Sequence, residues 1–148
     1  MQASLIFGKY IAALNTQPKV AIVILNWNGR KYLEQFLSSV IATSYPNIEI
    51  IVVDNGSVDD SVSFLEKKFP AIRVISLTSN YGFARGYNEA LKQVEADYYM
   101  ILNSDVEVEK GWLQPMVDLL GSDKEIAACQ PKLLEYKNKK VLKRTGPS

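Results

Sequence analysis

The sequence predicts an α/β fold with an open, mostly parallel sheet and helices on both faces. From Lys19 onward, apolar β-branched runs alternate with segments of helical periodicity, and the connections between them are short. The first run, VAIVIL at 20–25, is apolar at every position, as expected for a parallel strand that is buried on both faces. In such sheets ligands bind beyond the carboxyl ends of the strands.

The elements follow from this pattern in chain order. Strands are expected at 20–25, 48–54, 72–77 and 98–102, and a fifth is expected to begin within 126–134. Apolar residues three and four apart predict the helices, at 30–42, after Ser57, within 80–94 and at 111–121. Ser57, with Asp60 three residues later, is expected to cap the second helix, and Pro70 to end it.

Two terminal segments do not share this alternation. Residues 1–18 are expected to be a packing appendage to a domain at 19–134, and 135–148 a basic tail. Residues 131–148 carry a net charge of +5, whereas the whole chain carries +1. A solvated terminus is the simplest interpretation of the tail, and contact with phosphates or an anionic membrane surface is the alternative.

The composition restricts the available chemistry. The chain has one cysteine, Cys129, and no histidine, which excludes an internal disulfide and a histidine base or ligand. Acid–base or metal chemistry must therefore use Asp and Glu. No apolar run reaches the ~18 residues of a membrane span, and the N-terminus lacks a secretory pattern. We expect a cytoplasmic protein, with peripheral contact at the inner face of the membrane left open.

Polar side chains follow three of the predicted strands. Asn26 and Asn28 follow the first strand, Asp54 the second, and Asn103 and Asp105 the fourth. Because parallel strands bring their carboxyl ends to one edge of the sheet, we expect these side chains to converge there. This convergence is more informative than any of the short motifs alone.

Asp105 is the strongest candidate ligand. In an extended chain it would share one side with Asn103 and Glu107, offering the hard oxygen ligands that Mg²⁺ or Mn²⁺ prefer. Magnesium is usually held by one or two carboxylates plus substrate phosphates, so one aspartate can suffice. The alternative is that Asp105 only turns the chain after the strand.

Three further residues each have two interpretations. Asp54 can accept hydrogen bonds from a nucleobase or a ribose hydroxyl, or form a turn with Asn55 and Gly56 that needs no ligand. Arg85, in the glycine-containing segment NYGFARGYN, can hold a phosphate or a base, or lie over a neighbouring tyrosine. Trp27 can stack on a base or belong to the core.

Four sequence blocks occur together: VAIVILNWNG, YPNIEIIVVDNGSVDDS, NYGFARGYNEAL and YYMILNSDVEV. In order and spacing they resemble the nucleotide-sugar-binding half of family 2 inverting glycosyltransferases, over residues 19–134. The NWN start and the LN-x-D ending are most similar to the rhamnosyltransferase-type branch. The resemblance implies a GT-A fold with a Rossmann-like nucleotide-binding half. It also implies a UDP-sugar or dTDP-sugar donor, a saccharide or lipid-linked acceptor, Mg²⁺ or Mn²⁺, and no nucleic acid partner.

The resemblance also implies roles on the base side of the donor. By motif position, Asn26 and Asn28 would lie beside the base. Asp54 would bind the uracil or thymine ring. These roles are compatible with the ligand interpretation of Asp54 given above.

On the phosphate side, the resemblance places Arg85 near the base or the diphosphate. Asp105 would be the last acid of the family's D-x-D motif and would hold the metal and the ribose–diphosphate. Asn103 occupies the position of the first acid, which departs from the motif. An amide oxygen can still ligate a metal, so the departure weakens the site without removing it.

The family's chemistry needs one group that this sequence does not offer. A carboxylate base deprotonates the acceptor hydroxyl, which attacks the anomeric carbon with inversion while the metal offsets charge on the diphosphate. That base belongs to a downstream motif, and no second acidic motif follows Glu109. We therefore expect an N-terminal piece that binds the donor, lacks the base, and exposes an apolar face through which it dimerises or binds a partner.

Other classes of protein fit less well. A non-catalytic nucleotide-sugar-binding module that needs a partner is the main alternative. A receiver-type signalling domain needs its main acid after the third strand, where IRVISLTSN has none. A sugar nucleotidyltransferase needs a glycine-rich, basic loop after the first strand, and NWNGRKYL does not supply it.

Overall fold

The computed structural model describes residues 17–136. Strands and helices alternate through this range: β1 Val20–Asn26, α1 Arg30–Ile41, β2 Ile48–Asp54, α2 Ser61–Lys68, β3 Arg73–Ser76, α3 Gly82–Leu91, β4 Tyr98–Asn103 and α4 Leu113–Ser122. The predicted order of elements is confirmed. The expected appendage at 1–18 and basic tail at 135–148 fall almost wholly outside the described residues. The longest described helix has 12 residues, too short for a bilayer span of ~20.

The four strands form one parallel sheet in the order β3-β2-β1-β4. The pairing of β1 with β2 ends at Asn26↔Asp54, and that with β4 ends at Leu25↔Asn103. The carboxyl ends of three strands therefore lie at the same level, as the sequence predicted.

Two apolar layers cover the sheet, one on each face. The first joins one face of the sheet to α1, α2 and α4 through Ile22, Leu37, Leu65 and Leu113. The second joins the other face to α3, through a set that includes Ala90. Alternate residues of β1 face opposite layers, and each fully buried Leu or Ile contributes about 1.5–3 kcal/mol. Helices on both faces are thus confirmed.

The two edges of the sheet differ. β3 has four residues, and the guanidinium of its Arg73 donates to Glu49 Oε1 at 3.0 Å. β4 has six residues and no charged side chain. Its Tyr99 and Ile101 are 44% and 47% exposed. An uncharged edge strand of this length is open to pairing with another strand.

The expected cap of the second helix is wrong. α2 begins at Ser61, and Asp60 at its N-cap makes no side-chain capping hydrogen bond. Ser57 instead lies in the preceding loop, where its hydroxyl accepts from Asn28 N at 2.9 Å. The hydroxyl is used to join two loops, so it is not available to the helix.

The expected fifth strand is also wrong for the described residues. Residues 126–134 contain only an isolated bridge at Leu134. This part of the chain contacts α4 and α1. Cys129 Sγ donates to Met116 O at 3.8 Å, and Tyr136 packs edge-on against Phe36 at 5.3 Å between ring centres.

Candidate binding site at the carboxyl edge of the sheet

Asn26 and Asp54 form a buried floor at this edge. Asn26 is fully buried and Asp54 is 4% exposed. Asn26 Nδ2 lies 3.4 Å from Asp54 Oδ1, and Ser57 N donates to Asp54 Oδ2 at 3.0 Å. The turn interpretation of Asp54 is therefore present in the structure. It leaves acceptor capacity, because each carboxylate oxygen has two lone-pair sites.

The side-chain oxygen of Asn26 is also unusual. Its Oδ1 is buried and has no hydrogen-bond partner within the part of the chain that the structure describes. A Cβ on Gly29 would overlap this same oxygen, so the start of α1 can approach β1 only as glycine. A buried acceptor without a partner costs about 1–3 kcal/mol.

Asn28 holds the loops after β1 and β2 together. It has a left-handed backbone, with φ 49°, a conformation that asparagine tolerates better than most residues. Its backbone N–H donates to Ser57 Oγ, and its side-chain Oδ1 accepts from Val58 N at 2.8 Å. The structure thus gives Asn28 a positioning role, and its expected contact with a base stays a prediction.

Asn55 joins the loop after β2 to the start of α3. It is 2% exposed, and its Nδ2 donates to Asn80 Oδ1 at 3.0 Å and to Gly82 O at 3.1 Å. Its Oδ1 accepts from Tyr81 N at 3.0 Å. Sequence reasoning identified only its turn role, because no local pattern reports a side chain that bonds a loop 25 residues away.

Arg85 is exposed on the first turns of α3. Its guanidinium carbon lies 4.4 Å from the centre of the Tyr81 ring, so the surface-stacking interpretation is present. A hydroxyl contact from Thr78, then one from Ser79, and then the charge of Arg85 lower the pKa of Tyr81 below its usual value. Stacking leaves the edge of a guanidinium able to donate to anions.

Asn103 and Asp105 are both exposed, at the end of β4. The chain turns at Ser104 and Asp105, so the segment after β4 is not a continuing strand, although Asn103, Asp105 and Glu107 are all exposed as expected for side chains on one side. Alternating polarity cannot distinguish a continuing strand from a turn. Within residues 17–136, Asp105 makes no hydrogen bond or ion pair, and no three acids, cysteines or histidines lie close enough to hold a metal ion.

The loop that carries Asp105 is anchored at its far end to the end of α1. Three hydrogen bonds make this connection: Val108 N to Ser39 Oγ at 3.2 Å, Ser44 N to Lys110 O at 2.7 Å, and Trp112 Nε1 to Thr43 Oγ1 at 3.0 Å. Asp105 is thus an exposed carboxylate on a loop with a defined path.

Two exposed aromatic rings lie in the segments that form this edge. Trp27 follows β1 and is 56% exposed, so its assignment to the core is wrong. Phe83, in the first turn of α3, is 60% exposed and packs edge-on against Tyr87 at 5.0 Å between ring centres. The sequence analysis did not single out Phe83, because no local pattern reports that an aromatic at a helix start is exposed.

Comparison with known proteins adds an independent observation. The family model for glycosyl transferase family 2 matches residues 21–145. An uncharacterized glycosyltransferase from Haemophilus influenzae is 31% identical over 114 residues, 75% of this chain and 35% of that protein. The putative teichuronic acid biosynthesis glycosyltransferase TuaG from Bacillus subtilis is 32% identical over 109 residues, 72% of this chain and 43% of that protein. The chain therefore spans less than half the length of these relatives.

Solved structures agree with the fold. The S. aureus TarS structure in complex with UDP-GlcNAc matches with a TM-score of 0.63 and 27% identity, covering 70% of this chain and 31% of that chain. The mannosyltransferase PcManGT from Pyrobaculum calidifontis matches with a TM-score of 0.63 over 72% of this chain and 33% of its own, and at 23% identity it supports the fold alone. The GT-A expectation is confirmed. The rhamnosyltransferase-type branch stays a prediction.

Proposed function

Because the chain belongs to glycosyl transferase family 2, we propose that it binds a nucleoside diphosphate sugar at the carboxyl edge of its sheet. We propose that such a site serves transfer of the sugar to an acceptor hydroxyl, with inversion. The observation that carries the proposal is a buried Asn26–Asp54 pair at the ends of β1 and β2, beside the end of β4, which the exposed Asp105 follows by two residues. The similar TarS structure is a complex with UDP-GlcNAc, which supports a UDP-sugar donor, and dTDP is the alternative nucleotide.

The base would lie on the Asn26–Asp54 side. Asp54, which is 4% exposed, has remaining lone pairs that a pyrimidine ring N–H or a ribose hydroxyl can satisfy, and the buried Asn26 amide holds its carboxylate in place. The exposed Trp27 offers a ring face for stacking. Arg85, held over Tyr81, presents a cation to the base or the diphosphate.

The diphosphate and a divalent cation would lie on the Asn103–Asp105 side. One carboxylate and one amide oxygen make a sparse donor set, which suits Mg²⁺ or Mn²⁺ only when phosphate oxygens and waters complete the coordination. The absence of a three-acid cluster in residues 17–136 agrees with a metal that is held jointly with the nucleotide. When bound, the cation would offset charge on the leaving diphosphate.

We propose that a saccharide or lipid-linked acceptor and the base are bound by a region other than these residues. The Haemophilus influenzae protein and TuaG match this chain over only 35% and 43% of their length, which leaves room for such a region in them. We further propose a cytoplasmic location with peripheral contact at the inner face of the membrane. The cluster of basic residues from Lys132 onward supports that contact by its charge.

Calorimetric titration of UDP, dTDP and GDP, each with and without Mn²⁺, tests the proposed function. We expect UDP or dTDP to bind, more tightly with Mn²⁺ than without it, and GDP to bind more weakly. Absence of binding by all three nucleotides in both conditions would overturn the proposal. Nucleoside diphosphate released from a UDP-sugar only when acceptor saccharides are added would favour an enzyme over a non-catalytic binding module.

Self-association through β4 is a further expectation. The outer edge of this strand carries no charged side chain, so two copies can pair antiparallel across a two-fold axis without charge repulsion. Light scattering should give a mass above the monomer's 16.6 kDa. Ile101→Lys should weaken association about tenfold by placing like charges across the axis. Ile41→Lys, at a 38% exposed position on α1, is the matched control. A monomeric wild type at working concentration would contradict this expectation.

A further inference from the structure

Tyr87 reaches from α3 to the point where β1 and β4 end. Its side chain is 3% exposed, and its hydroxyl contacts the backbone of both strands. The hydroxyl accepts from Leu25 N at 3.4 Å and donates to Leu102 O at 2.8 Å. Leu25↔Asn103 is the last paired position of β1 and β4. One hydroxyl therefore bridges the two strands at their final rung.

This bridge fixes the peptide unit that leads into the proposed phosphate side of the site. The carbonyl of Leu102 belongs to the peptide bond that begins Asn103, two residues before Asp105. Among residues 17–136, β4 has a strand neighbour on one side alone, so a bond from α3 adds to the contacts that orient its exit. Burial raises the pKa of Tyr87 to about 12, and the hydroxyl accordingly stays a donor at neutral pH.

The same helix is tied to the base side. Asn55 binds the first residues of α3 through Tyr81 N and Gly82 O. Gly86 lies between the two sides, where a Cβ would come within 3.1 Å of Leu25 and 3.2 Å of Asn55. α3 thus connects the loop after Asp54 to the exit of β4 through two buried polar groups, the amide of Asn55 and the hydroxyl of Tyr87.

We propose that Tyr87 is a positioning residue whose hydroxyl sets the exit of β4 relative to α3. It thereby couples binding on the Asp54 side to metal-dependent binding on the Asn103–Asp105 side. The inference rests on the proposed function for its ligand, and it concerns a residue that touches neither the nucleotide nor the metal. The hydroxyl would produce this coupling by ordering two backbone groups, Leu25 N and Leu102 O.

Tyr87→Phe tests the proposal, with Tyr45→Phe as the matched control. Tyr45 is also buried, at 6% exposure, and donates to the Pro18 carbonyl at 2.9 Å, beside the amino edge of the sheet. In calorimetric titration, Tyr87→Phe should reduce the Mn²⁺-dependent gain in UDP affinity about tenfold. This is the effect expected when one hydrogen bond that orders the exit of β4 is lost. UDP affinity without metal should change less than about twofold, and Tyr45→Phe should change neither quantity. A structural defect alone would lower both affinities together.

Amide NMR of the free protein gives a second readout that needs no ligand. Tyr87→Phe should shift the signals of residues 103–106 and speed hydrogen exchange at Leu25 N, while Tyr45→Phe leaves both unchanged. An unaltered Mn²⁺-dependent gain in Tyr87→Phe would overturn the coupling. If the wild type shows no such gain, the coupling falls with the proposed function. Positioning by the hydroxyl is then judged by NMR, and unchanged signals at 103–106 would overturn it.

Discussion

Asp105→Ala is expected to abolish the metal-dependent part of nucleotide binding. Asp105 is the carboxylate at this edge that makes no bond to the described part of the chain, so its removal costs the fold little. Even the mutation of a residue that only hydrogen-bonds to a metal ligand lowers metal affinity by about 10- to 100-fold. Loss of the ligand itself should therefore weaken UDP binding in Mn²⁺ by at least about tenfold, measured by calorimetry.

Metal-free binding of UDP should stay within about twofold in the same variant. Glu95→Ala is the matched control, because Glu95 is exposed and precedes β4, at the opposite edge of the sheet. Asp105→Asn should give an intermediate loss, since an amide oxygen ligates more weakly than a carboxylate. Equal affinities for wild type and Asp105→Ala in Mn²⁺ would mean that the turn after β4 is only a polar strand exit.

Gly56→Ala is expected to lower the free energy of unfolding by about 3 kcal/mol. Gly56 has φ +71°, where an L-residue costs about 1–2 kcal/mol. A Cβ there would also lie 2.5 Å from the backbone carbon of Ser79 and 2.8 Å from Asn80 N. Two loops would have to separate, and overpacking of this kind costs a further 1–3 kcal/mol, roughly.

Gly82→Ala separates these two contributions. Gly82 has a similar φ of +73°, but a Cβ there would meet no atom within 4 Å. Only the cost of the left-handed backbone should remain, and the free energy of unfolding should fall by about 1 kcal/mol. The midpoints and slopes of urea unfolding curves give the free energy of unfolding of both variants. Equal destabilisation of Gly56→Ala and Gly82→Ala would show that the loop after β3 yields freely, contrary to the packing described here.

The sequence predicted the fold because its signals are local and repeated. Burial of β1 on both faces makes VAIVIL continuously apolar, and the short connections require parallel strands with helical crossovers. Asn26, Asp54 and Asn103 were located at the shared edge because parallel strands align their ends.

The interior organisation of the site could not be predicted in the same way. Asn55 acts through a hydrogen bond to a residue 25 positions away, and Tyr87 through a hydrogen bond to the backbone of β1. No local periodicity in the sequence reports such bonds. Ser57 matched a capping pattern, yet a hydroxyl can bond any nearby donor, and the loop after β1 supplied one. Residues 103–107 alternated like a strand, but the chain turns there.

Paramagnetic broadening of amide NMR signals by Mn²⁺, with UDP present, tests the central claim most directly. If one donor site spans the carboxyl edge, broadening should be strongest at residues 103–106, and next strongest at Asp54–Ser57 and Asn26–Asn28. It should be weakest at the opposite strand ends, near Val20, Ile48 and Tyr98. Broadening centred on the amino edge, or on Glu34 and Asp60, the acids that pair with Arg30 of α1, would contradict the account.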